Sequence, residues 1–192
     1  NSDYSKVVHK LPVPFFDNEL KQMNTHITEL PLQHGQIFFV LENCGMRLSD
    51  LCSTSIMVGD KHCLQKLGEN RYIFTYVQPK VHRTNSIPVS SLVAEVISNA
   101  IEASKSQYGE DCIHVFAISK TQCVGQEDVV MSMNKMSKRN NLMNDVGEPL
   151  RIKGHTFRRT KATEYANMGI GMDVIRIMLG QKQIGVLKHY IT

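Results

Sequence analysis

His155-Thr156-Phe157-Arg158 sets an imidazole and a guanidinium three residues apart, on one face of what reads as a helix start. Unpaired backbone N–H groups at a helix N-terminus attract phosphate. An imidazole able to move a proton and a guanidinium able to fork onto an oxyanion suit chemistry at a phosphate. By itself a His and an Arg on a helix is ordinary surface decoration. What raises the pair is an ordered sequel: Gly169 and Gly171, a short apolar stretch over residues 173–179, then Leu179-Gly180-Gln181, then Tyr190 nine residues after Gln181.

Elements must hold that series in place. Residues 155–168 read as a helix stopped by Gly169 and Gly171, and residues 173–179 as a short amphipathic helix stopped by Gly180. Upstream, Ile37, Phe38, Val40, Leu41 and Cys44 recur at helical spacing over residues 33–44 and end at Gly45. Residues 46–52 continue as a second short helix, and Asp17 is placed to cap another through Leu20 and Met23. The period changes at residues 71–77, rich in β-formers, and Ile87-Pro88-Val89 is a second short run. The polar stretch 78–86 between them reads as the extended tip of a hairpin. Leu92, Val93, Val96, Ile97, Ala100 and Ile101 predict a helix over 90–108 closed by Gly109, and a further helix is expected near 128–143. The fold class is mixed α/β, mainly helical with a small antiparallel β-sheet.

The 192 residues fit one domain, starting near Asp17, with residues 1–16 (Pro12, Pro14, no period) reading as a linker. Twenty-two Lys and Arg against 18 Asp and Glu leave +4, which permits a polyanionic partner without requiring one. No apolar run approaches the about 18 residues of a membrane span. Cys44, Cys52, Cys63, Cys112 and Cys123 are odd in number and lack a C-x-x-C pair, so free thiols in a reducing cytosol are expected.

At this point the sequence resembles the catalytic domain of the tyrosine recombinases, the phage-integrase family. The family pattern is H-x-x-R, a short helix ending L-G-H, and a tyrosine about nine residues on; His155, Arg158, Leu179-Gly180-Gln181 and Tyr190 follow it in order. The family's upstream G-(L/M)-R-x-S-(E/D)-L motif is matched by Gly45-Met46-Arg47-Leu48-Ser49-Asp50-Leu51. A family lysine sits in a β-hairpin turn shortly before a V/I-P pair, where this chain has Lys80, eight residues before Pro88. The resemblance covers residues 17–192 and implies the tyrosine-recombinase catalytic-domain fold. It also implies an N-terminal DNA-binding domain before the linker, with the catalytic domain cut just after its tyrosine.

The resemblance implies a division of labour. Arg47 and Arg158 clamp the phosphodiester, whose charge grows on its equatorial oxygens in the transition state. His155 is the base for Tyr190, a phenol with an ordinary pKa of about 10, and Lys80 protonates the leaving 5′-oxygen, with Arg83 in the same turn as the alternative. The product is a 3′-phosphotyrosine that stores the bond for rejoining. No metal or nucleotide cofactor is implied. Gln181 departs from the usual histidine: it donates a hydrogen bond but shuttles no proton. Asp50 is expected to orient Arg47 or its helix. Arg159, where a histidine is common, is expected to pack or pair locally, and His82 to be a solvated turn residue. Lys135, Lys138 and Arg139 are left open between a solvated face and a phosphate-contacting patch.

The implied protein is a site-specific recombinase, an integrase or transposon-borne enzyme, working on double-stranded DNA as a homo-tetramer. Accessory DNA-bending or directionality proteins and a cytoplasmic, nucleoid-associated location go with it. The alternatives are a catalytically impaired DNA-binding paralogue, suggested by Gln181, a type IB topoisomerase-like enzyme, and a helical protein-interaction module.

Overall fold

The structure is a computed structural model that describes residues 13–180. Helix α1 (Asp17–Thr25) opens with Phe16 as its cap residue, one position earlier than expected. The Glu19 carboxylate accepts the Phe16 N–H at 2.8 Å, so Asp17 is inside the helix. Helix α2 (Leu32–Cys44) buries Ile37, Phe38, Val40, Leu41 and Cys44, as its apolar stripe requires. It packs against two later helices, α4 (Ser91–Tyr108) and α6 (Gly154–Asn167). The aromatic centre is Phe157 of α6, edge-on to Phe15 at 5.0 Å and to Phe38 at 5.2 Å between ring centroids.

Helix α2 ends at Gly45, whose φ of 61° and N–H on the Leu41 carbonyl (2.9 Å) form a left-handed cap. A Cβ at Gly45 would lie 2.6 Å from Lys161 Cβ, so the helix end also presses directly on α6. The expected second helix starts two residues late, as α3 (Leu48–Cys52). Met46 and Arg47 are the extended link, and Arg47 is the cap residue at φ −69°, ψ 137°.

The sheet is larger than the sequence suggested. A two-residue ribbon, β1 (Met57–Val58) with β2 (Lys61–His62), precedes a meander of β3 (Leu64–Gly68), β4 (Arg71–Gln78) and β5 (Arg83–Val89). Pairing runs on to Gln78↔Arg83, so the extended polar tip over 78–86 is corrected to a tight turn. Residues Pro79–Val81 form one 3-10 turn closed by His82 at φ 47°. Thr84 and Ser86 are polar because that face of β5 meets solvent, while Asn85 and Ile87 alternate inward. Helix α4 is capped by Ser90 Oγ, which accepts the Val93 N–H at 3.3 Å. Helix α5 (Gln126–Arg139) stops four residues before the expected end. Asn141 turns left-handed at φ 51°, and Leu142 N–H returns to the Ser137 carbonyl.

Beyond α6 lies α7 (Met172–Met178), where Ile175 and Leu179 pack with Ala162 in a small separate core. All five thiols are free, and burial pushes Cys44, Cys52 and Cys63 up to about 12, so they stay protonated. No helix among the described residues is long and apolar enough to cross a membrane.

The α2–α3 corner gives a stability test. Gly45→Ala should cost about 1–2 kcal/mol for the left-handed backbone, with a further loss from the Lys161 clash, read as a lower urea midpoint. An unchanged midpoint contradicts this account of the corner.

Candidate functional site

Four elements deliver side chains to one cavity of about 510 Å³, whose lining includes Arg47, Ser49, Lys80, Glu127 of α5 and His155. Arg47 comes from the cap of α3, fixed by the turn at Gly45. His155 comes from the first turn of α6, and α6 starts hard against α3. A Cβ at Gly154 would stand 3.0 Å from Leu48 Cβ, so these two helix starts nearly touch. Lys80 comes from the 3-10 turn between β4 and β5, and its side chain is exposed. Arg83, the alternative to Lys80, is exposed on β5 and is not among the residues lining the cavity. A larger groove, about 960 Å³, runs between residues 13–16 and 144–153 and holds none of the residues singled out above.

Arg158, expected to clamp the phosphodiester with Arg47, is not among the residues that line the cavity. It is 1% exposed, donating from Nη1 to the Gly45 carbonyl at 3.3 Å and from Nη2 to the Leu179 carbonyl at 2.5 Å. Arg47 Nη1 reaches Asp50 Oδ2 at 3.5 Å, so Asp50, also 1% exposed, faces the arginine it was expected to orient. Sequence reasoning missed one partner here. Gln78 Nε2 donates to Asp50 Oδ2 at 3.2 Å and to the Gly180 carbonyl at 3.1 Å, joining β4 to the end of α7. A glutamine two residues before Lys80 carries no spacing signal that would have found it.

Arg159 is buried, as local packing requires. Lys135, Lys138 and Arg139 are all exposed, and Arg139 Nη2 is paired with Glu29 Oε2 at 2.5 Å. His82 is exposed in its turn. Gln181 and Tyr190 lie outside the described residues.

The electrostatics favour an anion here. Partial burial of the His155 ring holds its pKa below the ordinary 6.5, and the charges of Arg158, Arg47 and Lys80 push the same way. The imidazole is therefore neutral at pH 7 and able to take a proton. Three cations act on it, and one of them, Arg47, faces the buried Asp50.

Known proteins share this architecture and sequence pattern. The sequence profile of the phage integrase family matches residues 15–192. Transposase B from transposon Tn554 of Staphylococcus aureus (strain Mu50 / ATCC 700699) is 26% identical over 190 residues, 99% of this chain and 29% of the transposase. Transposase B from transposon PsiTn554 of Staphylococcus aureus is 26% identical over 188 residues, again 29% of its length. The chain thus spans under a third of the curated relatives it matches. Among solved structures, the Tn1549 transposon integrase in complex with a circular intermediate DNA superposes with a TM-score of 0.74 at 17% identity, covering 99% of this chain and 64% of that one. The XerH site-specific recombinase bound to its difH substrate gives 0.72 at 14% identity, covering 94% and 50%. These likenesses show the fold.

His155 tests the site's charge balance. NMR titration of the DNA-free protein should place its pKa below 6.5, and Lys80→Met should raise it by removing one repelling cation. Because the unfolded chain then binds the proton more readily, this group's stability contribution is present above about pH 6.5 and lost as pH falls through the lower folded value. A His155 that titrates at or above 6.5, or ignores Lys80→Met, contradicts the arrangement.

Proposed function

The chain belongs to the phage integrase family, and from that premise we propose that it is the catalytic domain of a site-specific DNA recombinase of a mobile element. The single observation that carries this reading is the convergence of Arg47, Lys80 and His155 on one cavity, with the charge of the buried Arg158 acting on the same histidine. Tyrosine recombination asks for that set of groups: charge to hold a phosphodiester, a base, and an acid on a movable tip.

In the proposed reaction the Tyr190 phenol gives its proton to neutral His155 and attacks phosphorus. A bond forms from the phenolic oxygen to phosphorus, and the bond to the 5′-oxygen breaks, the leaving oxygen taking a proton from Lys80. Arg47 and Arg158 stabilise the charge that grows on the non-bridging oxygens. Gln181 adds a hydrogen bond. Rejoining reverses each transfer at a new 5′-hydroxyl, so no bond energy is lost to water. A bound phosphate also removes the repulsion around His155 and raises its proton affinity, which favours proton capture only once DNA is seated.

The same reading extends to the whole protein, which would act on duplex DNA as a tetramer, with accessory DNA-bending or directionality proteins, in the cytoplasm on the nucleoid. The similarity to transposases supports a mobile-element role.

The test uses the full-length protein and nicked duplexes tiled across the DNA flanking its gene, resolved on a denaturing gel. A covalent protein–DNA adduct is expected from the native protein and none from Tyr190→Phe. Arg47→Ala should slow adduct formation by about 100-fold or more. DNA binding without an adduct would point to a non-catalytic paralogue, and an adduct that survives Tyr190→Phe would refute the assigned nucleophile.

A further inference from the structure

We propose that Gln78 is a positioning residue for strand cleavage, its amide tying the Gly180 carbonyl to the carboxylate that holds Arg47. The inference rests on the recombinase reading above and adds a residue to it. Gln78 is the last residue of β4, 1% exposed, and two residues before Lys80. One nitrogen serves two acceptors from distant parts of the chain: Asp50 Oδ2 at 3.2 Å and the Gly180 carbonyl at 3.1 Å.

The direction of the amide is set by chemistry. Turning it over would bring Oε1 against a carboxylate and a carbonyl, three acceptors with no donor among them. In the orientation present, Oε1 is buried with no hydrogen-bond partner among the described residues. An apolar side chain of the same length would avoid that unmatched acceptor but would leave the buried Asp50 carboxylate and the Gly180 carbonyl without this donor. The glutamine also fixes geometry. Asp50 receives its other side-chain contacts, from Arg47 Nη1 and Ser49 Oγ, at 3.5 Å each, so Gln78 supplies the shortest of the three.

The other end of the tie is equally confined. Gly180 has φ 62°, and a Cβ there would lie 2.7 Å from Gln78 Nε2 and 2.8 Å from Asn85 Nδ2. The chain therefore leaves α7 pressed onto the base of the hairpin that carries Lys80. Through Gln78, one contact registers three parts of the site: the Arg47 corner, the Lys80 turn and the segment that leads to Gln181.

The experiment measures single-turnover adduct formation by the full-length protein on a nicked duplex, at saturating DNA, alongside DNA affinity and thermal midpoint. Gln78→Met should slow cleavage by about tenfold or more, as a small misplacement of reacting groups does, with the DNA Kd within about threefold and any fall in midpoint small enough that the protein stays fully folded at the assay temperature. A smaller loss of rate, or a loss that follows Kd or midpoint, overturns the inference. If Gln78→Met does not fold, Gly180→Ala strains the same contact from the other side; its left-handed backbone lowers the midpoint by itself, so it is judged on rate and Kd alone, measured well below its own midpoint. Absence of adduct from the native protein overturns the recombinase reading and this inference with it. Equal rates from native and Gln78→Met protein overturn this inference alone.

Discussion

A buried guanidinium must find acceptors, and the fold around this site is organised by where Arg158 finds them. It donates to the carbonyls of Gly45 and Leu179, at the ends of two helices far apart in sequence. Leaving such a charge unmatched in the interior would cost about 3–5 kcal/mol. That penalty keeps the end of α2 and the end of α7 together on α6. Gly45 is left-handed and in contact with Lys161 for the same reason, since only a bare backbone brings its carbonyl close enough. Arg47, two residues on, is thereby aimed before any substrate arrives.

The charges around His155 are out of balance in a useful way. Arg47, Lys80 and Arg158 all disfavour a proton on His155. Asp50, the carboxylate facing Arg47, is buried and is held by Gln78 as well. A phosphodiester would complete the set, supplying the counter-charge and relieving the histidine at once. In the proposed reaction, ground-state repulsion and phosphate recognition are two sides of one arrangement, and the apolar core beneath pays for holding it.

Helices α2 and α4 were legible because their core-facing stripes are periodic and end in glycine, at Gly45 and Gly109. The family motifs located Arg47, Lys80, His155 and Arg158, and the fold sets the first three around one cavity. What stayed hidden has physical causes. Strand β3 contains Gln65 and Lys66 and lies at the sheet edge, where polar residues mask the pattern. Thr84, Asn85 and Ser86 read as a loop because all three are polar, yet Asn85 is buried with its amide on the Tyr76 hydroxyl, and Thr75 and Ser86 share a hydrogen bond across the strands. The depth of Arg158 could not be read either, because spacing places a residue on a helix face without saying what covers it.

The most direct measurement is an experimental structure of the full-length protein on a nicked duplex. The account predicts the scissile phosphate in the cavity lined by Arg47, Lys80 and His155, its oxygens within hydrogen-bond reach of the Arg47 guanidinium and of His155, with Lys80 turned toward the 5′-oxygen. A phosphate seated elsewhere, such as in the groove beside Arg151 and Lys153, with Arg47 and His155 touching no DNA, would contradict it.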